Sequence, residues 1–341
     1  MEKKSKFNAE RLEKLIDSFS KKGAISKKFF AILYDFMQVY AKCVNTSDMD
    51  GDKQTDIFAS FIESVASQCE DPYTFQPFHK QVRSPIDYLQ FGVDFIKPLI
   101  DSERSKAIID TGAQDIKDKL ARGENVIFFA NHQVEADPQV LFSLIGDLQW
   151  PKETIFVAGE RVVLDPLAIP FSLGCNLLCI YSKKYINTPI EKREEKLQHN
   201  RKTMEQMCAL LEKGGVSIWV APSGGRDRSD SEGTITPAPF DPQSIEMFLL
   251  MAKKAKTPTT FYPLSLYTYH MLPPPDESHK GLGERRAVKR VPVGVHIGDP
   301  IDLAALSFPE LDKQSSRQKR TKSIYQIIRK NYTELSDALN M

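Results

Sequence analysis

His132 and Asp137 are the residues of this chain best suited to moving a proton. They stand in the run Asn131-His132-Gln133-Val134-Glu135-Ala136-Asp137-Pro138. A carboxylate hydrogen-bonded to one ring nitrogen of a histidine fixes its tautomer, and the other nitrogen is left to take a proton from a hydroxyl. Five positions along a regular helix turn through about 500°, which leaves two side chains about 140° apart. The pair meets only if the intervening residues form a loop that curls back onto a helix start. No serine or cysteine adjoins them, so the hydroxyl would belong to a substrate. A plainer reading stays open, in which Asp137-Pro138 caps a helix and His132 is a structural loop residue.

A second run is Val220-Ala221-Pro222-Ser223-Gly224-Gly225-Arg226-Asp227-Arg228. Gly224-Gly225 lets the backbone approach a ligand closely. Arg226 and Arg228, two apart, project to one side of an extended loop. Two guanidiniums beside exposed amides suit a phosphate, which each can bind through two hydrogen bonds. Lys183-Lys184 adds positive charge at the end of another predicted strand. The alternative is a solvated loop in which Asp227 pairs with its neighbours.

Both runs directly follow short apolar segments, and these place the chemistry. Such segments predict strands at 125–130, 154–158, 177–181, 216–221, 260–266 and 291–297. Helical spacing separates several of them, most clearly at 189–213 and 241–256, and a basic segment over 315–340 reads as a final helix. Strands alternating with helices imply an α/β fold with a largely parallel mixed sheet flanked by helices. In such a sheet the carboxyl ends of the strands are where ligands bind. Asp137 is then expected as the N-cap of a helix continuing through Val140, Leu141 and Leu144.

The first part of the chain is different. Leu12, Leu15, Ile16 and Phe19 have the spacing of one helix face. Ser26 is placed to cap a second helix, with Phe29, Leu33, Phe36 and Tyr40 as its stripe. A third helix is expected after Thr55, with Phe58, Phe61, Ile62 and Val65 facing one way. Residues 71–85, with three prolines, read as a linker. Ser84-Pro85 predicts a helix start running through about Leu99. The expected organisation is a helical bundle domain over 1–75 and an α/β domain over 76–341.

Composition excludes several function classes. Apolar residues make up 41% and charged residues 27%, a globular balance. Forty-six Lys and Arg against 45 Asp and Glu give a net charge of +1, which argues against a charge-driven nucleic-acid binder. The uncharged stretches 166–182 and 257–275 are broken by proline, glycine or polar residues and do not read as membrane spans. The first residues show no secretory signal or transit peptide. Five cysteines without zinc spacing read as reduced thiols. These features predict a soluble protein of a reducing compartment.

The blocks NHQVEADP, FVAGERVVLDP, IYSKK, WVAPSGGRDR and PAPFD occur in that order. Together they resemble the soluble glycerol-3-phosphate acyltransferases of plant chloroplasts and chlamydia-like bacteria, within the His-x4-Asp glycerolipid acyltransferase superfamily. The resemblance covers about residues 80 to 300. Ser223 stands where the wider superfamily has Glu, a mark of the soluble subfamily, and Tyr185 stands where the plant enzymes place His. The resemblance implies the glycerolipid acyltransferase fold. It implies transfer of a fatty acyl group from acyl carrier protein (acyl-ACP) or coenzyme A (acyl-CoA) to the sn-1 hydroxyl of sn-glycerol 3-phosphate, giving lysophosphatidate. His132 would be the general base and Asp137 its orienting carboxylate, while Lys184, Arg226 and Arg228 would hold the phosphate. No metal or organic cofactor is implied, since the thioester supplies the driving force. The resemblance leaves room for peripheral contact with a membrane, gives nucleic acid no role and implies a cytoplasmic or plastid-stromal location. A different acceptor, dihydroxyacetone phosphate or lysophosphatidate, and a non-catalytic lipid- or carrier-binding module are the alternative readings.

Overall fold

The computed structural model describes residues 5–110, 112–182, 185–275 and 282–340. Three helices come first, α1 (Ala9–Lys21), α2 (Lys27–Thr46) and α3 (Gly51–Glu70). The chain then runs through β1 (Phe78–His79), α4 (Tyr88–Ile96), β2 (Lys106–Ile109), α5 (Ala113–Ala121) and β3 (Asn125–Ala130). Next come α6 (Asp137–Ile145), α7 (Trp150–Glu153), β4 (Ile155–Gly159), α8 (Glu160–Leu164) and α9 (Ile169–Ser172). The remainder holds β5 (Asn176–Ile180), α10 (Arg193–Lys213), β6 (Ser217–Val220), α11 (Pro242–Ala255), β7 (Thr259–Tyr267), β8 (Gly294–Ile297) and α12 (Lys313–Asn340).

The strands form one mixed sheet in the order β1-β5-β4-β6-β3-β7-β8-β2. Pairing is parallel except at β1–β5 and β7–β8. This is the expected α/β architecture. Strand β3 sits centrally between β6 and β7, and all six of its residues are buried. Its side chains alternate as a pleat demands. Val126, Phe128 and Ala130 enter one core with α4, α5 and α6, while Ile127 and Phe129 enter the other with α10, α11 and α12. A strand covered on both faces reads as continuously apolar, which is why 125–130 was legible.

Local signals were misleading at three starts. The third helix begins at Gly51, with the Asp50 carboxylate accepting from the Lys53 N–H. Thr55 lies inside it, donating to the Gly51 carbonyl and accepting the Asn8 N–H. A Cβ at Gly51 would stand 2.4 Å from the Lys6 carbonyl carbon, so only glycine admits that crossing. Ser84-Pro85 begins no helix, because Asp87 caps α4 instead, accepting the Gln90 N–H. At Asp137 the cap position belongs to Ala136, and the Asp137 side chain turns back to the loop before it.

A third core joins the first helices to the rest. Phe36, Tyr40, Phe58 and Phe61 pack with Phe95 of α4, at ring separations from 4.8 to 5.9 Å. The buried Tyr40 hydroxyl lies 2.8 Å from the Phe95 carbonyl and 2.9 Å from Gln54 Oε1. The same cluster takes in Val134, Ala136 and Val140, so it reaches the loop after β3.

Candidate active site

Strand β3 delivers the chain to the loop 131–136, and β7 holds that loop from the side. The buried Asn131 extends the pairing with β7 through its side chain. Its Oδ1 accepts the Leu266 N–H at 2.7 Å, and its Nδ2 donates to the Leu266 carbonyl at 3.0 Å. Gln133, also buried, accepts the N–H groups of Thr268 and Tyr269 at 2.7 and 3.0 Å.

Held this way, the loop curls back on the start of α6. His132 Nδ1 lies 2.8 Å from Asp137 Oδ2. The same oxygen accepts the N–H groups of Gln133 at 2.8 Å and Val134 at 3.3 Å, and Asp137 Oδ1 accepts the Thr268 hydroxyl at 2.6 Å. A carboxylate only accepts, so the ring presents an Nδ1–H to it and Nε2 is the nitrogen left off the contact. Asp137 is 1% exposed and the His132 side chain 24%. The imidazole thus reaches solvent while its orienting group does not. Trp219 of β6 stands against the ring at 82° with centroids 5.6 Å apart, which limits its swing.

The loop after β6 comes to the same place. The Asp227 N–H donates to the His132 carbonyl at 2.6 Å. The Asp227 carboxylate is buried and accepts from Asn131 Nδ2 at 2.9 Å and the Ala238 N–H at 2.8 Å. Burial pushes its carboxyl up to about 6, against the opposing pull of those donors. Among the described contacts Asp227 turns inward to these groups and pairs with neither flanking arginine.

Arg226 and Arg228 emerge on the outer side of this loop with different partners. Arg226 Nη2 lies 2.8 Å from Glu284 Oε2, and Nη1 lies 3.8 Å from Glu135 Oε1. Glu284 also takes Arg161 Nη1 at 2.7 Å, and Glu135 takes Arg286 Nη2 at 2.9 Å. The result is an alternating row, Arg161, Glu284, Arg226, Glu135, Arg286. Burial acts to raise the Glu284 carboxyl, but the three guanidiniums around it hold it below the usual glutamate range. Arg228 is exposed and donates to the Pro275 carbonyl. Burial and the nearby Arg226 charge lower its basicity. Lys184 lies outside the described residues. Tyr185 accepts the buried Lys196 ammonium at its carbonyl, 2.9 Å away.

Sequence reasoning brought His132 to Asp137 and put Arg226 and Arg228 at the same sheet edge. It missed Thr268, Glu284, Arg161 and Arg286. Glu135 and Arg161 stood inside the two blocks NHQVEADP and FVAGERVVLDP, and their place in those blocks was the available signal. Thr268 and Glu284 carried none, since their partners lie 131 and 58 residues away.

The chain has similarities to known proteins. The family model described as Acyltransferase matches residues 113–267. The chain is similar to the glycerol-3-phosphate acyltransferase, chloroplastic, of Arabidopsis thaliana, 38% identical over 79% of this chain and 60% of that protein. It is similar to the proteins of the same name from Spinacia oleracea, 36% identical over 82% and 60%, and Phaseolus vulgaris, 33% identical over 82% and 61%. The chain thus spans about three fifths of the length of these curated relatives. The segment similar to that family model contains β3, the His132–Asp137 pair, the arginine loop and β7.

Proposed function

We propose that this protein is a glycerol-3-phosphate 1-O-acyltransferase. The carrying observation is the 2.6 Å bond from the Asp227 N–H to the His132 carbonyl, which keeps an imidazole and two arginines at one sheet edge. The names of the relatives supply the acceptor class. In this reading Arg226, Arg228 and Lys184 hold the phosphate of sn-glycerol 3-phosphate. His132 Nε2 takes the proton of the sn-1 hydroxyl as that oxygen attacks the thioester carbonyl. The Asp137 carboxylate supports the imidazolium that forms. Collapse of the tetrahedral intermediate breaks the carbon–sulfur bond, and the imidazolium returns its proton to the departing thiolate. The developing oxyanion needs N–H donors close by.

The donor is an acyl thioester on carrier protein or coenzyme A. The helical bundle over 1–75 serves as a supporting domain for the α/β domain over 76–341. Among the described residues no helix is long and apolar enough to cross a membrane, which fits a reaction in the cytoplasm or plastid stroma with its lipid product released to a membrane. The test is a transfer assay with purified protein, radiolabelled glycerol 3-phosphate and both donors. Competing dihydroxyacetone phosphate and lysophosphatidate identify the acceptor. Formation of labelled lysophosphatidate supports the proposal. Turnover only with another acceptor, or none with any, overturns it.

A further inference from the structure

We propose that Thr268 is a positioning residue for the proton transfer, orienting the Asp137 carboxylate behind His132 through its hydroxyl. The inference rests on His132 acting as base. Thr268 lies just beyond β7, 1% exposed, and grips the loop at two points. Its Oγ1 donates to Asp137 Oδ1 at 2.6 Å, and its N–H donates to Gln133 Oε1 at 2.7 Å. Gln133 is pinned in turn, its Nε2 lying 3.3 Å from the Tyr332 hydroxyl of α12.

The need for such a residue follows from the carboxylate. The terminal torsion of aspartate is broad and nearly two-fold. Three donors, from His132, Gln133 and Val134, all address Oδ2. Donors gathered on one oxygen do not by themselves fix the carboxylate plane, because the group can rotate about them. A donor to the other oxygen does. Among the described hydrogen bonds the Thr268 hydroxyl is the one on Oδ1. It comes from the residue just after β7, so the plane of the acid is referred to the end of that strand as well as to its own loop.

Valine keeps the volume and branching of threonine but cannot donate, whereas serine keeps the hydroxyl. Thr268→Val is expected to lower kcat by roughly 10-fold or more, the lower end of what a hydrogen bond to a charged group contributes. The KM for glycerol 3-phosphate should stay within about twofold, because the phosphate contacts are untouched. Thr268→Ser should restore most of the rate. In an Asp137→Asn background Thr268→Val should add nothing, since the group it acts through has changed. A wild-type kcat in Thr268→Val, or the same loss in both backgrounds, overturns the inference. His132→Ala in the same assay separates the two readings, since near-native turnover there refutes the base itself. The ring Nδ1–H resonance of His132, assigned by its loss in His132→Ala, reads the contact without turnover. It should move or broaden in Thr268→Val and return in Thr268→Ser, and an unmoved signal counts against the inference.

Discussion

The Asp227 N–H donates to the His132 carbonyl at 2.6 Å, so the loop carrying the imidazole and the loop carrying the arginines are joined backbone to backbone. Asn131 doubles the joint by donating to the Asp227 carboxylate. Displacing either loop displaces the other, and a fixed spacing between the imidazole and the two arginines follows.

His132→Ala should lower kcat by roughly 10²–10⁴-fold, the usual range for general-base catalysis. The side chain is partly exposed and packs only edgewise on Trp219, so thermal unfolding should be near that of the parent. Asp137→Asn should be slow and also less stable, because an amide cannot accept from all of the donors that converge there. Steady-state rates and melting curves for both variants check this. A fully active His132→Ala protein would falsify the assignment.

Arg228→Ala should raise the KM for glycerol 3-phosphate by roughly 10- to 150-fold, the value of a charged hydrogen bond, and leave the donor KM nearly unchanged. Arg226→Ala should do the same and also lower the melting temperature, since Glu284 and Glu135 then lose a counter-charge. Equal effects on both substrates' KM values would make the loop a donor site.

Asp227 should leave a signature in stability against pH. Its folded carboxyl is raised from 3.8 to about 6, chiefly by burial. Between those values the folded chain holds a proton that the unfolded chain has released. The contribution is therefore fully present below about pH 4 and is lost as pH rises through about 6. Melting temperatures of the parent and Asp227→Asn should diverge across that window and run parallel above it. A constant difference from about pH 4 to 7 would refute the shift.

Salt should distinguish the donors. Lys192, Arg193, Arg201, Lys202, Lys253, Lys254, Arg285 and Lys289 are exposed, whereas Arg286 is buried against Glu135 and unavailable for docking. An acidic carrier protein steered by such residues gives a kcat/KM that falls as ionic strength rises. The expected result is a steeper fall with acyl-ACP than with acyl-CoA of matched chain length. A lower rate with acyl-ACP, no more sensitive to salt, would identify coenzyme A as the donor.

The sheet was legible wherever burial on both faces made strands continuously apolar. The predicted segment 125–130 coincides with β3, and 154–158, 177–181 and 260–266 fall within a residue of β4, β5 and β7. Strands β1 and β2 were missed because they are short edge strands with little apolar signal, β2 reading only Lys-Ala-Ile-Ile. The Ser84-Pro85 start failed because a cap-and-proline pattern is local, and Asp87 offers a competing cap just beyond it. His132 and Asp137 were legible because five residues and a loop suffice to join them. The charge row through Glu284 was not, since it depends on where the excursion between β7 and β8 crosses the sheet edge.

Val134, Ala136 and Val140 belong to the same apolar cluster as Phe36, Tyr40 and Phe58. The imidazole's loop and the first three helices therefore share one apolar core. Cutting the chain after the linker should expose part of that shared core and loosen the loop from behind. Amide hydrogen exchange at Gln133 and Val134 would then report the loss of helices whose own sequence holds none of the residues proposed to act on substrate.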